Sequence, residues 1–204
     1  MRKVLSLTVL LAAAAVTVGQ QPDGPPPVRY GVGTNVETFP QTSPRETLAS
    51  AVRAIERNKA DYLAAYLIDP VFIDARVADR AKLIEPTVDR ELRAVRDTQR
   101  QKGVDVLPNE KLPVEPKAFD AVVREEARRR AFTLVTKDAR EYLIENPDTL
   151  KDLKHFLRDG VFTDAGESAS VAVKDIKDRQ VFLKKIGNRW FVEDRQREVK
   201  TGKE

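Results

Sequence analysis

The chain has 204 residues, no cysteine, one histidine and one tryptophan, with 36 Lys and Arg against 32 Asp and Glu. Without a thiol there is no disulfide, no thiolate nucleophile and no cysteine metal ligand, so packing alone must hold the fold. The formal charge of +4 falls to +2 once Arg2 and Lys3 are set aside (34 against 32), which gives no support to a nucleic-acid partner.

Arg2 and Lys3 precede an uncharged, mostly apolar run from Val4 to Val18, with small residues around Gly19. This is the layout of a secretory signal peptide over residues 1–19, and it predicts an exported protein, periplasmic or extracellular. The run is 15 residues long, short of the roughly 20 that a spanning helix needs, so no membrane span is expected after cleavage. Residues 20–42 are rich in Pro and Gly and show no period, which predicts a disordered or extended lead-in.

The pattern then changes. Ser43 as N-cap, Pro44 at the first helical position and Glu46 completing a capping box predict a helix from 44 to 57, with Leu48, Val52 and Ile55 as its apolar stripe. Asn58 and Lys59 read as a turn. A second short helix is expected over 61–68, stopped by Asp69-Pro70. From Asp74, Val77, Ala81, Ile84, Val88, Leu92 and Val95 recur at helical spacing up to about Gln101; Pro86 either kinks this helix or starts another. After a proline-rich loop over 106–116, Pro116 opens a helix on which Phe119, Val123, Ala127, Ala131, Leu134 and Tyr142 form a stripe up to Asn146. Asn146, Pro147, the Leu150-Leu153-Leu157 stripe and Gly160 define a further short helix.

The chain ends in a meander. A two-residue turn at Gly187-Asn188 sets Leu183 opposite Val192 and Lys185 opposite Trp190, with Val181, Leu183, Trp190 and Val192 on one face. A three-residue loop over 176–178 would set Val173 opposite Val181 and avoid facing Asp175 with Asp178. The apolar face needs cover, and the helices supply it. Residues 43–196 therefore read as a single α+β domain: N-terminal helices packed on a C-terminal antiparallel β-meander, with a large helical middle section. Residues 197–204 read as a disordered tail.

The succession of "ASAVRAIERNKADYLAAYL" and a closing "VFLKKIGNRWFVED" resembles the nuclear transport factor two-like superfamily, the cone-shaped α+β fold shared with ketosteroid isomerases and polyketide cyclases. The matching positions of the final hairpin are Val181, Leu183, Gly187, Trp190 and Val192. The likeness covers about residues 43–69 and 161–196. It implies first helices lying across a curved sheet, and strands between them and the final meander; residues 74–159 depart from this by reading as almost continuous helix.

Few residues point to chemistry. Tyr62, Tyr66 and Asp69 fall near one face of the second helix; the isomerase branch of the resembled family uses Tyr and Asp in its pocket, which makes these three the candidate catalytic set. Their bland alternative is a core edge followed by a turn-forming Asp. His155 projects away from the Leu150-Leu153-Leu157 stripe and reads as a solvated residue. No metal site and no cofactor are expected. The expectation for function is an exported, non-enzymatic ligand- or protein-binding accessory module. Its working surface would be the mouth between helices and meander, near Trp190, or the second sheet face bearing Phe182, Ile186 and Phe191. The alternative is an isomerase- or cyclase-like enzyme with a pocket at Tyr62, Tyr66 and Asp69.

Overall fold

Ser43 opens the helical part as its sequence suggested: its side chain accepts the Glu46 N–H, and helix α1 runs from Pro44–Glu56. The computed structural model describes residues 26–102, 112, 115–176 and 179–195; the expected signal peptide (1–19) and the expected disordered tail (197–204) lie outside them. α1 closes with Asn58 at φ +54 and bonds from Asn58 N to Ile55 O and Lys59 N to Ala54 O, the Schellman pattern. α2 (Ala60–Tyr62) passes directly into a π turn, Leu63–Leu67.

Asp69 caps the next helix by accepting the Val71 N–H. That helix, α3 (Pro70–Lys102), runs unbroken through Pro86. Proline removes one backbone bond there, and the long packing seam against α4 (Pro116–Ala139) supports the helix across the gap: Val77, Ala81 and Val88 share a buried cluster with Phe119, Val123, Ala127 and Ala131. At about 1.5 Å per residue α3 is roughly 50 Å long. α4 ends in a second π turn, Arg140–Ile144. α5 (Pro147–Asp159) starts at the Asn146 cap and stops at Gly160, where a Cβ would collide with Phe156 O and Val171 Cγ1.

The protein is α+β: four antiparallel strands follow the helices in the order β1-β2-β3-β4, namely β1 (Val161–Asp164), β2 (Ser168–Ala172), β3 (Val181–Ile186) and β4 (Arg189–Val192). Among the described residues no strand lies between Pro44 and Gly160. The last hairpin has the expected register, Leu183 opposite Val192 and Lys185 opposite Trp190. Gly187 sits at φ +59 while Asn188 keeps a negative φ, as a type II′ turn requires.

Two features of the sheet differ from the sequence reading. β1 is an additional strand, pairing Val161 with Ala172. The β2–β3 register is shifted by two residues: Val171, and not Val173, faces Val181. A shift of two leaves the faces unchanged, so Val171 still lies with Leu183 and Trp190. The cause is a longer connection, whose Asp175 and Arg179 pair with α5 and not with each other.

One face of the sheet is covered by Leu48 of α1 and Phe156 of α5, which pack with Ala169, Val171, Leu183 and Trp190. A second cluster joins α1, the first π turn, α3 and α4. Residues 26–42, expected as a disordered lead-in, are a strap laid over that cluster. Phe39 and Gln41 are buried, and Tyr30 stacks on Phe132 with ring centroids 4.3 Å apart. Gln41 also continues the sheet edge: its carbonyl accepts Trp190 N–H, and its amide donates to Trp190 O and Tyr66 O.

Candidate functional site

The structure does not bring Tyr62, Tyr66 and Asp69 into one pocket. The two tyrosines hold the strap. Tyr66 Oη accepts Arg29 N–H (3.0 Å), donates to Val32 O (2.6 Å) and lies 3.2 Å from Pro27 O. Tyr62 Oη accepts Asn35 N–H at 3.3 Å, and its ring packs between Phe39 and Tyr66. Burial raises the Tyr62 pKa, which removes it further from proton exchange near neutrality. Asp69 turns to the other side, where its second oxygen meets Lys184 Nζ at 2.5 Å. All three side chains are engaged in holding chain segments together.

The second sheet face is not an open apolar surface either. Phe182 and Phe191 are 3% and 2% exposed. Arg195 lies over Phe182 at 4.2 Å and Arg189 over Phe191 at 5.2 Å. Trp190 is buried on the opposite face. Of the four residues expected as a binding surface, only Ile186 keeps partial exposure. The cover was readable: Arg189, Phe191, Glu193 and Arg195 alternate onto one side of a strand and its extension.

A concave feature with apolar walls lies elsewhere, beside the Leu48-Phe156-Trp190 packing. A cleft of about 850 Å3 opens between α1, α3, the end of α4, α5 and the sheet edge. Its apolar walls come from Leu48 and Ile55 of α1, Phe72 and Ile73 of α3, and Leu153 and Phe156 of α5. Val181 and Val192 close it on the sheet side, and Arg179 and Gln180 from the β2–β3 connection complete that wall.

Both π turns border this cleft, through Leu63 in the first and Glu141, Tyr142 and Leu143 in the second. A π turn inserts a residue into the helical repeat and rotates the side chains beyond it, and such turns concentrate at functional sites. Tyr142 shows the effect: counted on the buried stripe at regular spacing, it is 72% exposed and stands at the cleft mouth.

Three carboxylates of the cleft rim are paired with arginine, while Glu141 and Asp194 also line it. Arg179 binds Asp152, Arg195 Nε meets Glu193 at 2.6 Å, and Arg80 binds Asp138. Arg76 lies over the Phe72 ring at 4.9 Å and has no carboxylate partner among the described residues. A ligand whose apolar body buries about 200 Å2 here would gain on the order of 5 kcal/mol before association costs.

Two other places gather ionisable groups. An open groove of about 510 Å3 near Pro86 is lined by Lys82, Glu85, Asp89 and Asp120, a charged surface with little apolar area. His155, expected to be solvated, is 24% exposed and bonds two carboxylates: Nδ1 to Asp159 Oδ2 at 2.9 Å and Nε2 to Asp175 Oδ2 at 2.8 Å. The two nitrogens point to opposite sides of the ring, so these groups do not converge on one ion. Among the described residues no group of three or more His, Asp or Glu is placed to hold a metal, and no helix is long and apolar enough to cross a membrane. No protein-family model, curated protein or solved structure matches the chain.

Proposed function

We propose that the protein is an exported binding module that takes up a small molecule with an apolar body in the cleft between α1, α3, α5 and the sheet edge. The carrying observation is the cleft itself: about 850 Å3, within the range of small-molecule sites, with apolar walls and a few polar groups at the rim. Tyr142 at the mouth supplies a flat, exposed ring, and Arg76 a guanidinium for a polar head.

A non-enzymatic role is supported by three of the cleft carboxylates. Asp138, Asp152 and Glu193 are each held by an arginine, an arrangement that fixes charge and does not move protons. The signal-like first residues support export. The nuclear transport factor two-like resemblance remains part of the proposal, since a cleft between the first helices and the meander is where that architecture would seat a ligand.

The test is a titration with anilinonaphthalenesulfonate, an apolar fluorophore, on the native protein and on Ala139→Trp. Ala139 lines the cleft at the end of α4, and an indole there takes up part of its volume and obstructs a ligand. One saturable site in the native protein that Ala139→Trp removes, with native circular dichroism retained, supports the proposal. Absence of a saturable site, or equal binding by a folded Ala139→Trp, overturns it.

A further inference from the structure

His155 ties two elements that share the cleft wall. It projects from α5, and its ring stands between Asp159 on the same helix and Asp175 on the β2–β3 connection, with Nε2 at 2.9 and 2.8 Å from the two Asp175 oxygens. One turn earlier on α5, Asp152 binds Arg179 from the far end of that connection. Asp152, Arg179 and Gln180 all line the cleft. The connection is thus fastened to α5 at two points, and only the His155 point changes charge near neutral pH.

We propose, building on the cleft reading above, that His155 is a proton-dependent latch which fixes the β2–β3 connection against α5 and so sets the wall of the ligand cleft. Both ring nitrogens face carboxylate oxygens, which accept and never donate when ionised. The imidazolium can donate to both partners at once. The neutral ring can donate to only one, and turns a lone pair toward the other carboxylate. Loss of one proton therefore converts one of the two ion pairs into a repulsive contact.

Among the described residues, the charged groups that meet the ring come from α5 and the connection, and those of α1 bond to other residues of α5. On α5, Arg158 shares Asp159 with it at 2.7 Å, and Lys154 is turned away to Glu56 of α1. Arg45 of α1 donates to Leu157 O. Asp175 is the charged partner from the connection. The two carboxylates, Asp175 foremost, raise the imidazole pKa above its ordinary 6.5. A pKa raised in the folded state means that the latch is fully present below about 6.5 and is lost as pH rises through the higher folded value.

The experiment follows two readouts across that pH range in the native protein and in His155→Gln. The first is hydrogen-exchange protection of residues 173–176 and 179–180, corrected for intrinsic exchange. The second is affinity for anilinonaphthalenesulfonate. The latch predicts a several-fold fall in protection as pH rises through the imidazole pKa, accompanied by weaker probe binding, with both steps absent in His155→Gln. If protection steps but the probe binds at no pH, the latch stands and the cleft reading fails. If the native protein shows no step in protection, or His155→Gln keeps it, the latch is wrong. Should His155→Gln fail to fold, Asp175→Asn carries the same prediction.

Discussion

Tyr66→Phe isolates one oxygen atom on which the strap depends. The ring stays in place, so packing against Tyr62 is retained while the hydroxyl's bonds to Arg29 N–H and Val32 O disappear. Pro27 O at 3.2 Å competes for the same proton, so two bonds are lost and not three. Each net hydrogen bond is worth about 0.5–1.5 kcal/mol. Arg29 and Val32 are half-buried, so water can reach part of what the hydroxyl leaves. The expected loss is about 1–3 kcal/mol, or a Tm lower by roughly 2–12 °C for a domain of this size. Tyr62→Phe is the internal control, because its hydroxyl makes one long bond at 3.3 Å and should cost less than about 1 kcal/mol. Urea denaturation measures both variants, and trypsin cleavage after Arg29 reports release of the strap directly. If Tyr66→Phe costs under about 0.5 kcal/mol and leaves the cleavage rate unchanged, the hydroxyl does not hold the strap.

Other single contacts give equally definite outcomes. Gly160→Ala places a methyl against Phe156 O and Val171 Cγ1, and the resulting shift of α5 from β2 should cost about 1–3 kcal/mol by urea titration. Asp69→Ala removes the α3 cap and the Lys184 partner. It should lower stability by about 1–3 kcal/mol yet leave fluorophore affinity unchanged, since Asp69 does not line the cleft; a folded variant that loses the probe would restore Asp69 to the site. Glu126 is held down to about 2 by Arg129, with Arg130 assisting, and Arg130 also reaches Glu91 on α3. A depressed pKa contributes stability above about 4.5 that disappears as pH falls toward 2. Thermal melts of Glu126→Gln should therefore show a shallower loss of stability than the native protein between those values.

The legible parts of the fold were those written in local backbone chemistry. Ser43, Asn146 and Gly160 mark helix ends because capping bonds are made within a few residues, and Gly187 marks the last hairpin because only a positive φ makes that turn. What could not be read was decided by partners far along the chain. A three-residue loop sets Val173 opposite Val181 by sequence alone, until α5 presents His155 to Asp175 and Asp152 to Arg179. Pro86 leaves open a kink or a new helix start until α4 is seen to brace one continuous helix. Tyr62, Tyr66 and Asp69 are one face by spacing, but a π turn intervenes over Leu63–Leu67, and the strap takes up the hydroxyls while Lys184 takes the carboxylate. The cleft lies between helices and meander, but its lining was not readable. Phe72, Tyr142 and Leu153 meet there only through the packing of three helices, and Tyr142 through a departure from regular helical spacing.

Ligand binding in the cleft beside α1, α3 and α5 is tested most directly by mapping amide chemical shifts with isotope-labelled protein and anilinonaphthalenesulfonate. Occupation of the cleft predicts saturating shifts grouped at Ile55, Phe72, Leu143, Leu153 and Val192, all of them cleft residues. Shifts grouped instead on the α3–α4 seam or the strap, with those five unmoved, would contradict it.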